Sequence, residues 1–329
     1  MSTTVTIGKR SFTIKSAADA FIAQTNIDYI MDKFIAPGWI TLIYGHPGAK
    51  KTWIALVMAA CIAIGKVWLT FNTIQCKVLW LDEECGENSI ARRIKAVILG
   101  ILGDEKTPID FMSLTGFKFD NPKLTEDCFY LTKIISDGGY KVVFIDALAD
   151  IMNGDENTVE AVRRPFQNLK FAANATGAAI VLIHHSNKAG SYRGSSFIKG
   201  FVDVMIHVES DNGSDLIRFS TEKIREDEMQ TWSARAVWDI DRFFLQPALT
   251  QSMKSSLSVS EVFVIKYLDQ NGSSSVDDIA SNADTCSDIS ARKAVYELAK
   301  KGITCRIQAP GKKAIYDLTI KGMAEAKLL

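Results

Sequence analysis

The chain has 329 residues, 47% of them hydrophobic, which is enough for one large and one small domain with buried cores and excludes a disordered chain. Lys plus Arg and Asp plus Glu both number 38, so the net charge is zero; this excludes a surface that wraps nucleic acid all over and restricts any such contact to a loop, a pore or one face. Six scattered cysteines without a CxxC pair, and four histidines without ligand spacing, exclude a zinc module and read as reduced, small apolar side chains and ordinary polar ones.

The opening residues, MSTTVTIGKRSF, lack the continuous apolar core of a secretory signal. The most apolar stretch, residues 53–69, is interrupted by Gly65 and Lys66 and reads as a buried helix, not a membrane span. A soluble, cytoplasmic protein without membrane contact is expected. Residues 1–36 read as a lead-in to a domain that ends at 249. Between residues 38 and 185, short apolar runs alternate with helical patterns. The runs at 39–45, 77–83, 109–114, 141–147 and 178–185 read as buried strands. Three of them are nearly continuous in Val, Ile, Leu and aromatics, as parallel strands covered on both faces require. Helices are expected at 51–65, 88–101, 124–137 and 157–176, the last with Val159, Val162, Phe166 and Leu169 at spacings of three and four. The alternation predicts an α/β fold, a mostly parallel sheet flanked by helices through right-handed crossovers.

The first run leads directly into GHPGAKKT, residues Gly45, His46, Pro47, Gly48, Ala49, Lys50, Lys51 and Thr52. A strand before it and a helix after it give this phosphate-loop pattern its meaning: backbone N–H groups turn inward around phosphates, and the helix N-terminus adds its positive end. ATP and Mg2+ are the expected cofactors. Lys51 would meet the β- and γ-phosphates, and Thr52 would ligate magnesium. Lys50 stands where the pattern carries its second glycine. KVLWLDEEC then ends in Asp82, Glu83 and Glu84, one strand after the phosphate helix. One of these carboxylates can orient the attacking water, Glu84 ahead of Glu83. KVVFIDALAD ends its apolar run at Asp146, where an acid can reach magnesium or its bound water. IVLIHHS closes with His184 and His185, polar groups placed to sense the γ-phosphate. The loop after them, SNKAGSYRGSSFIKG, carries Lys188, Tyr192, Arg193 and Lys199, cations with an aromatic that suit single-stranded nucleic acid, or else a plain solvated loop.

Beyond residue 200 the pattern changes to strands. VDVMIHVES, DNG and SDLIRFSTEK read as a hairpin on a tight Asn-Gly turn that extends the sheet antiparallel, with RAVWDID and RFFLQP following. Lys223 and Arg225, two apart on a strand, are expected to project from one face, as fingers into a neighbour's ATP site. Residues 250–258 read as a linker. Residues 259–329 then read as a helix with Val262, Ile265 and Leu268 on one face, a short helix, and a longer helix with Ile289, Val295 and Leu298 inward. A hairpin around Pro310-Gly311 follows, giving a winged helix-turn-helix. Arg292, Lys293, Lys312 and Lys313 would meet duplex DNA, or the unit would contact protein.

GHPGAKKT, WLDEE, VVFIDAL, LIHHSNKAGSYRGSSFIKG and the KIR at 223–225 together resemble the RecA-like ATPases of the hexameric replicative helicase group, especially RepA-type plasmid and phage helicases. The resemblance covers residues 28–247. It implies Glu84 as the catalytic base, His185 as the sensor, Lys223 and Arg225 acting across a subunit interface, a loop facing a central pore that holds single-stranded DNA, and a homo-oligomeric, hexameric ring. The expectation is an ATP-dependent DNA motor; a DNA-binding regulatory RecA-like ATPase without unwinding activity is the alternative.

Overall fold

The structure is a computed structural model. It describes residues 3–7, 10–23, 26–120, 126–154, 158–186, 198–248, 257–307, 314–319, 322–323 and 326. The strands β1 (Thr3–Ile7) and β2 (Arg10–Ile14) form an antiparallel hairpin, and α1 (Ala17–Ile22) follows behind a capping box in which Ser16 and Asp19 exchange hydrogen bonds. None of these elements was expected, although the Ser-x-x-Asp spacing signals the cap.

The main body is a nine-stranded sheet. Its parallel strands are β3 (Ile40–Gly45), β4 (Val78–Asp82), β5 (Ile109–Ser113), β6 (Val142–Asp146), β7 (Ala179–His185) and β8 (Val204–Glu209). The strands β9 (Leu216–Ile224), β10 (Thr231–Asp239) and β11 (Arg242–Ala248) continue it antiparallel, in the order β11-β10-β9-β8-β3-β7-β6-β4-β5. Successive side chains of a strand point to opposite faces, which splits the apolar runs between two cores. Val78, Trp80, Val142, Phe144, Val181 and Ile183 pack with α2 (Lys51–Ile64) and α3 (Glu87–Gly100). Leu79, Leu81, Val143, Ile145, Ile180 and Leu182 pack with α4 (Glu126–Gly138) and α5 (Val159–Thr176). The result is a helix–sheet–helix sandwich of RecA-like type, and the right-handed connection of parallel strands sends α2 and α3 to one face and α4 and α5 to the other.

α2 is buried from Ile54 to Ala63 without a polar face, as its sequence requires; Gly65, left-handed at φ 68°, ends it. Among the described residues no helix is long and apolar enough to cross a membrane.

Several expectations need correction. The run at 109–114 is the sheet's edge strand, with Phe111 partly exposed, not a strand covered on both sides. The β8–β9 connection is six residues long, 210–215, with Asn212-Gly213 at its tip, and is not a two-residue turn. Arg225 lies beyond the end of β9, in a bend, so only Lys223 is a strand residue.

The C-terminal unit has its own core, Val264, Ile265, Leu268, Ile279, Ala294, Val295, Leu298, Tyr316 and Leu318 among it. Its elements are α7 (Val259–Asn271), β12 (Ser274–Ser275), α8 (Val276–Ser281), α9 (Asp288–Lys300), β13 (Thr304–Ile307) and β14 (Ile315–Leu318), the strands ordered β12-β14-β13. Ile289, expected inward, is 79% exposed, because the inner face of α9 is built on Ala291 and Ala294, small residues that a count of large ones overlooks.

Candidate nucleotide site

Strand registers bring the predicted residues to one edge of the sheet. Gly45 at the end of β3 pairs with His185 of β7 on one side and Val208 of β8 on the other, and Asp82 of β4 pairs with Asp146 of β6. Ligands of open α/β sheets bind outside this carboxyl edge. Gly45 is obligatory: a Cβ there would stand 2.2 Å from the Val208 carbonyl oxygen. The loop then turns through Gly48, at φ 86°, and enters α2 at Lys51.

Lys51 is buried, and its Nζ donates to the carbonyls of Gly45 at 3.0 Å and His46 at 3.2 Å, with His185 Nδ1 also at 3.2 Å. Burial pushes the Lys51 ammonium down to about 8, against the pull of the Asp146 and Glu84 charges. The loop lysine is thus folded back on its own loop and on the predicted sensor, beside the space the phosphates would fill.

The Thr52 hydroxyl donates to Asp146 Oδ2 at 2.7 Å. Asp146 is fully buried, and its Oδ1 has no hydrogen-bond partner among the described residues. Burial pushes its carboxyl up to about 7; the Thr52 bond lowers it, and Glu84 and Asp82 raise it further. An orphaned buried carboxylate oxygen beside a hydroxyl fits Mg2+, which takes oxygen ligands and is commonly held by one or two carboxylates together with substrate phosphates. Among the described residues no group of three or more His, Cys, Asp or Glu is arranged to hold a metal.

The three acids after β4 have separate surroundings. Asp82 is buried and accepts from the amides of Cys85 and Gly86 and from the Ser113 hydroxyl, fixing the turn into α3. Glu83 accepts from the Thr115 amide and hydroxyl and from the Gly116 amide. Glu84 is exposed, and its charge reaches Lys51, Asp146 and Asp150.

Other predicted residues lie apart. Lys223 Nζ donates to the Lys199 carbonyl at 2.6 Å, and Arg225 Nε pairs with Asp203 at 2.9 Å. Asp203 is buried; it also accepts from the Ile40 amide and from Lys170, a role that an Asp inside the apolar run of VDVM signals. Ile224 pairs with Val204, which is opposite Thr41, so these cations sit at the edge opposite the phosphate loop. Lys199 is an exposed residue of α6 (Ile198–Phe201). Lys188, Tyr192, Arg193, Lys312 and Lys313 lie outside the described residues. Arg292, expected to meet DNA, is instead paired with Asp277 at 2.6 Å and Asp288 at 3.1 Å; Lys293 is exposed. The sequence reading missed the side chain that holds Lys50. Lys50 Nζ donates to Ser210 Oγ at 2.8 Å and to the Ser214 carbonyl at 2.9 Å, both in the β8–β9 connection.

Comparison with known proteins bears on the family and the fold. The AAA domain family matches residues 9–191, more than half of the chain. The chain is similar in structure to a DnaB-like replicative helicase studied with its interactions with primase, at 13% identity and a TM-score of 0.52, over 69% of this chain and 65% of that one. It is also similar to a separately solved ATPase domain, at 14% identity and a TM-score of 0.50, over 69% of this chain and 94% of that one. The chain therefore spans less than two thirds of the helicase's length, and at these identities the likeness is one of fold. A search of curated proteins gives no match.

Proposed function

Because the chain belongs to the AAA domain family, whose P-loop ATPase core it carries, we propose that it is an ATP-driven DNA motor of the ring-forming replicative helicase type, hydrolysing ATP between subunits. The observation that carries the reading is the division of its charged groups between two edges of one sheet. Lys51, Thr52, Asp146, Glu84 and His185 gather at one edge, and Lys223 and Arg225 at the other. Thr41 and Gly45 are four residue steps apart, roughly 13 Å of strand. A cation at the far edge therefore suits a neighbouring subunit's nucleotide better than its own.

In this mechanism Lys51 leaves the Gly45 and His46 carbonyls for the terminal phosphates. Thr52 and Asp146 would hold Mg2+, which would supply neutralisation of phosphate charge. Glu84, the acid with no structural duty among the three, orients the attacking water and takes its proton. His185, in contact with Lys51, registers whether the γ-phosphate is present. Lys223 and Arg225 reach a neighbour's transition state. Lys188, Tyr192, Arg193 and Lys199 would contact single-stranded DNA. The C-terminal unit follows the element order of a winged helix. Its ten Lys and Arg against nine Asp and Glu in residues 257–329, and the pairing of Arg292, favour a protein partner over duplex DNA.

The test is the ATPase rate with and without single-stranded DNA, together with native mass in ATP. A motor is stimulated by DNA and multimeric. An unstimulated monomer that still hydrolyses ATP is a regulatory ATPase, and the motor reading fails.

A further inference from the structure

The residue before Lys51 has an unusual backbone. Lys50 sits in the left-handed region at φ 63° and ψ 22°, where the phosphate-loop pattern would place glycine. Residues with a side chain seldom adopt that conformation unless their surroundings hold them there. Here the side chain itself provides the hold, through its bonds to Ser210 Oγ and the Ser214 carbonyl. Those acceptors are fixed in turn. The Ser210 hydroxyl donates to the Leu216 carbonyl at 3.0 Å, and Ser214 Oγ accepts from the Leu216 amide at 3.1 Å, so both are tied to the first residue of β9. The tip of the same connection reaches the loop a second time, with Asn212 Oδ1 3.7 Å from where a Cβ on Gly48 would stand. The six-residue length of this connection, where a two-residue turn would close the hairpin, brings these groups alongside the loop.

We propose that Lys50 is a positioning residue for ATP, tying the phosphate loop to the β8–β9 connection and making residues 210–214 respond to nucleotide. The proposal rests on the ATP-binding reading of GHPGAKKT and adds to it a mechanical partner for the loop. Lys50 and Lys51 are consecutive, so a loop amide that closes on phosphate and a Lys51 that swings towards it both act on the backbone that Lys50 anchors. The anchor lies at the start of β9, and Lys223 is near that strand's other end. One strand thus joins the phosphate loop of one site to the cations proposed for the next.

The test uses the full chain with Mg2+ and ATP, reading affinity by calorimetry and hydrogen exchange at the amides of residues 211–214. Wild type is expected to slow exchange in this segment when ATP binds. Lys50→Ala removes the tie and keeps a Cβ that disfavours the left-handed backbone, and should bind ATP about tenfold more weakly, about 1.4 kcal/mol. Lys50→Gly suits the backbone and should recover part of that affinity, yet it should still lose the exchange response. A merely structural lysine would not separate the two readouts in this way. Ser210→Ala, which leaves Lys50 in place with one acceptor fewer, should weaken affinity in the same direction by less, and keeps the test open if the Lys50 variants do not fold. Wild-type affinity in every variant, or exchange at 211–214 that ignores ATP, overturns the proposal and leaves nucleotide binding standing. A wild-type chain that binds no ATP overturns both readings.

Discussion

Glu83 and Glu84 are neighbours in sequence, yet three hydrogen bonds occupy one carboxylate and the other stands exposed towards Lys51 and Asp146. Replacing each by glutamine should separate their duties. Glu84→Gln should keep ATP binding and slow hydrolysis by about 10²–10⁴, the usual contribution of a general base. Glu83→Gln keeps its amide oxygen as an acceptor and should cost stability at the 113–117 turn more than turnover. A single-turnover measurement in which Glu83→Gln is the slower of the two would reverse the assignment. Asp146 makes a second prediction at this scale. A buried carboxylate with one unpartnered oxygen costs folding free energy, because charge leaves water without full compensation. Asp146→Asn should therefore raise the melting temperature of the nucleotide-free chain by a few degrees while losing Mg2+-dependent ATP binding. A lower melting temperature in the variant would show that the carboxylate is not a strained group. The sequence ranks Glu84 ahead of Glu83 through its resemblance to the helicase group, an order that these variants test. It did not reveal that Lys50 is anchored at Ser210 and Ser214, because those partners lie 160 and 164 residues away along the chain.

Elements were legible where composition alone decides them. The nearly continuous apolar runs of β4, β6 and β7 and the all-round apolar α2 have no alternative but burial. Their order across the sheet was not legible, since β3 lies between β7 and β8 through pairings that depend on tertiary packing. Short elements escaped as well. β12 has two residues and exists only as a partner of β14, and α6 has four. In the C-terminal unit the helices and the strand pair appear in the order expected, but the charge logic does not hold. Arg292 reads as a free cation on a helix, whereas the structure sets it between Asp277 at the start of α8 and Asp288 at the start of α9. Residues 257–329, with their own core, should fold as an isolated fragment and bind duplex DNA weakly. With Arg292 paired, at most three of the four expected cations remain, for a slope no steeper than about −2.7 in log K against log salt. A slope of about −3.6 or steeper, that of four contacts, would restore the duplex-binding reading.

At the scale of the whole molecule, the sheet carries the phosphate loop at one edge and Lys223 and Arg225 at the other, and under the proposed reading contact between copies would bring the two together. The cation edge is not loose. Arg225 is paired through Nε with Asp203, which also holds the Ile40 amide at the start of β3, while the Arg225 side chain remains about half exposed at 48%. A guanidinium fixed at one nitrogen and open to solvent is aimed without being used up, since Arg carries five donors. If it serves a neighbour's site, Arg225→Ala and Glu84→Gln should each lose most activity alone, and mixing them should restore part of it. In a mixed ring the Arg225→Ala subunit still offers a working Glu84, and its Glu84→Gln neighbour still offers a working arginine, so some interfaces are complete. Trans-acting arginines contribute roughly 10³–10⁵ in rate, so a minority of complete interfaces stands well above background. The measurement is the steady-state ATPase rate of the mixture against each variant alone at the same total concentration. Cooperative firing around the ring would reduce the recovery without removing it. Normal hydrolysis by Arg225→Ala, in a chain that stays monomeric with ATP, would mean that the Asp203 pair is the arginine's whole role and that each subunit completes its own site.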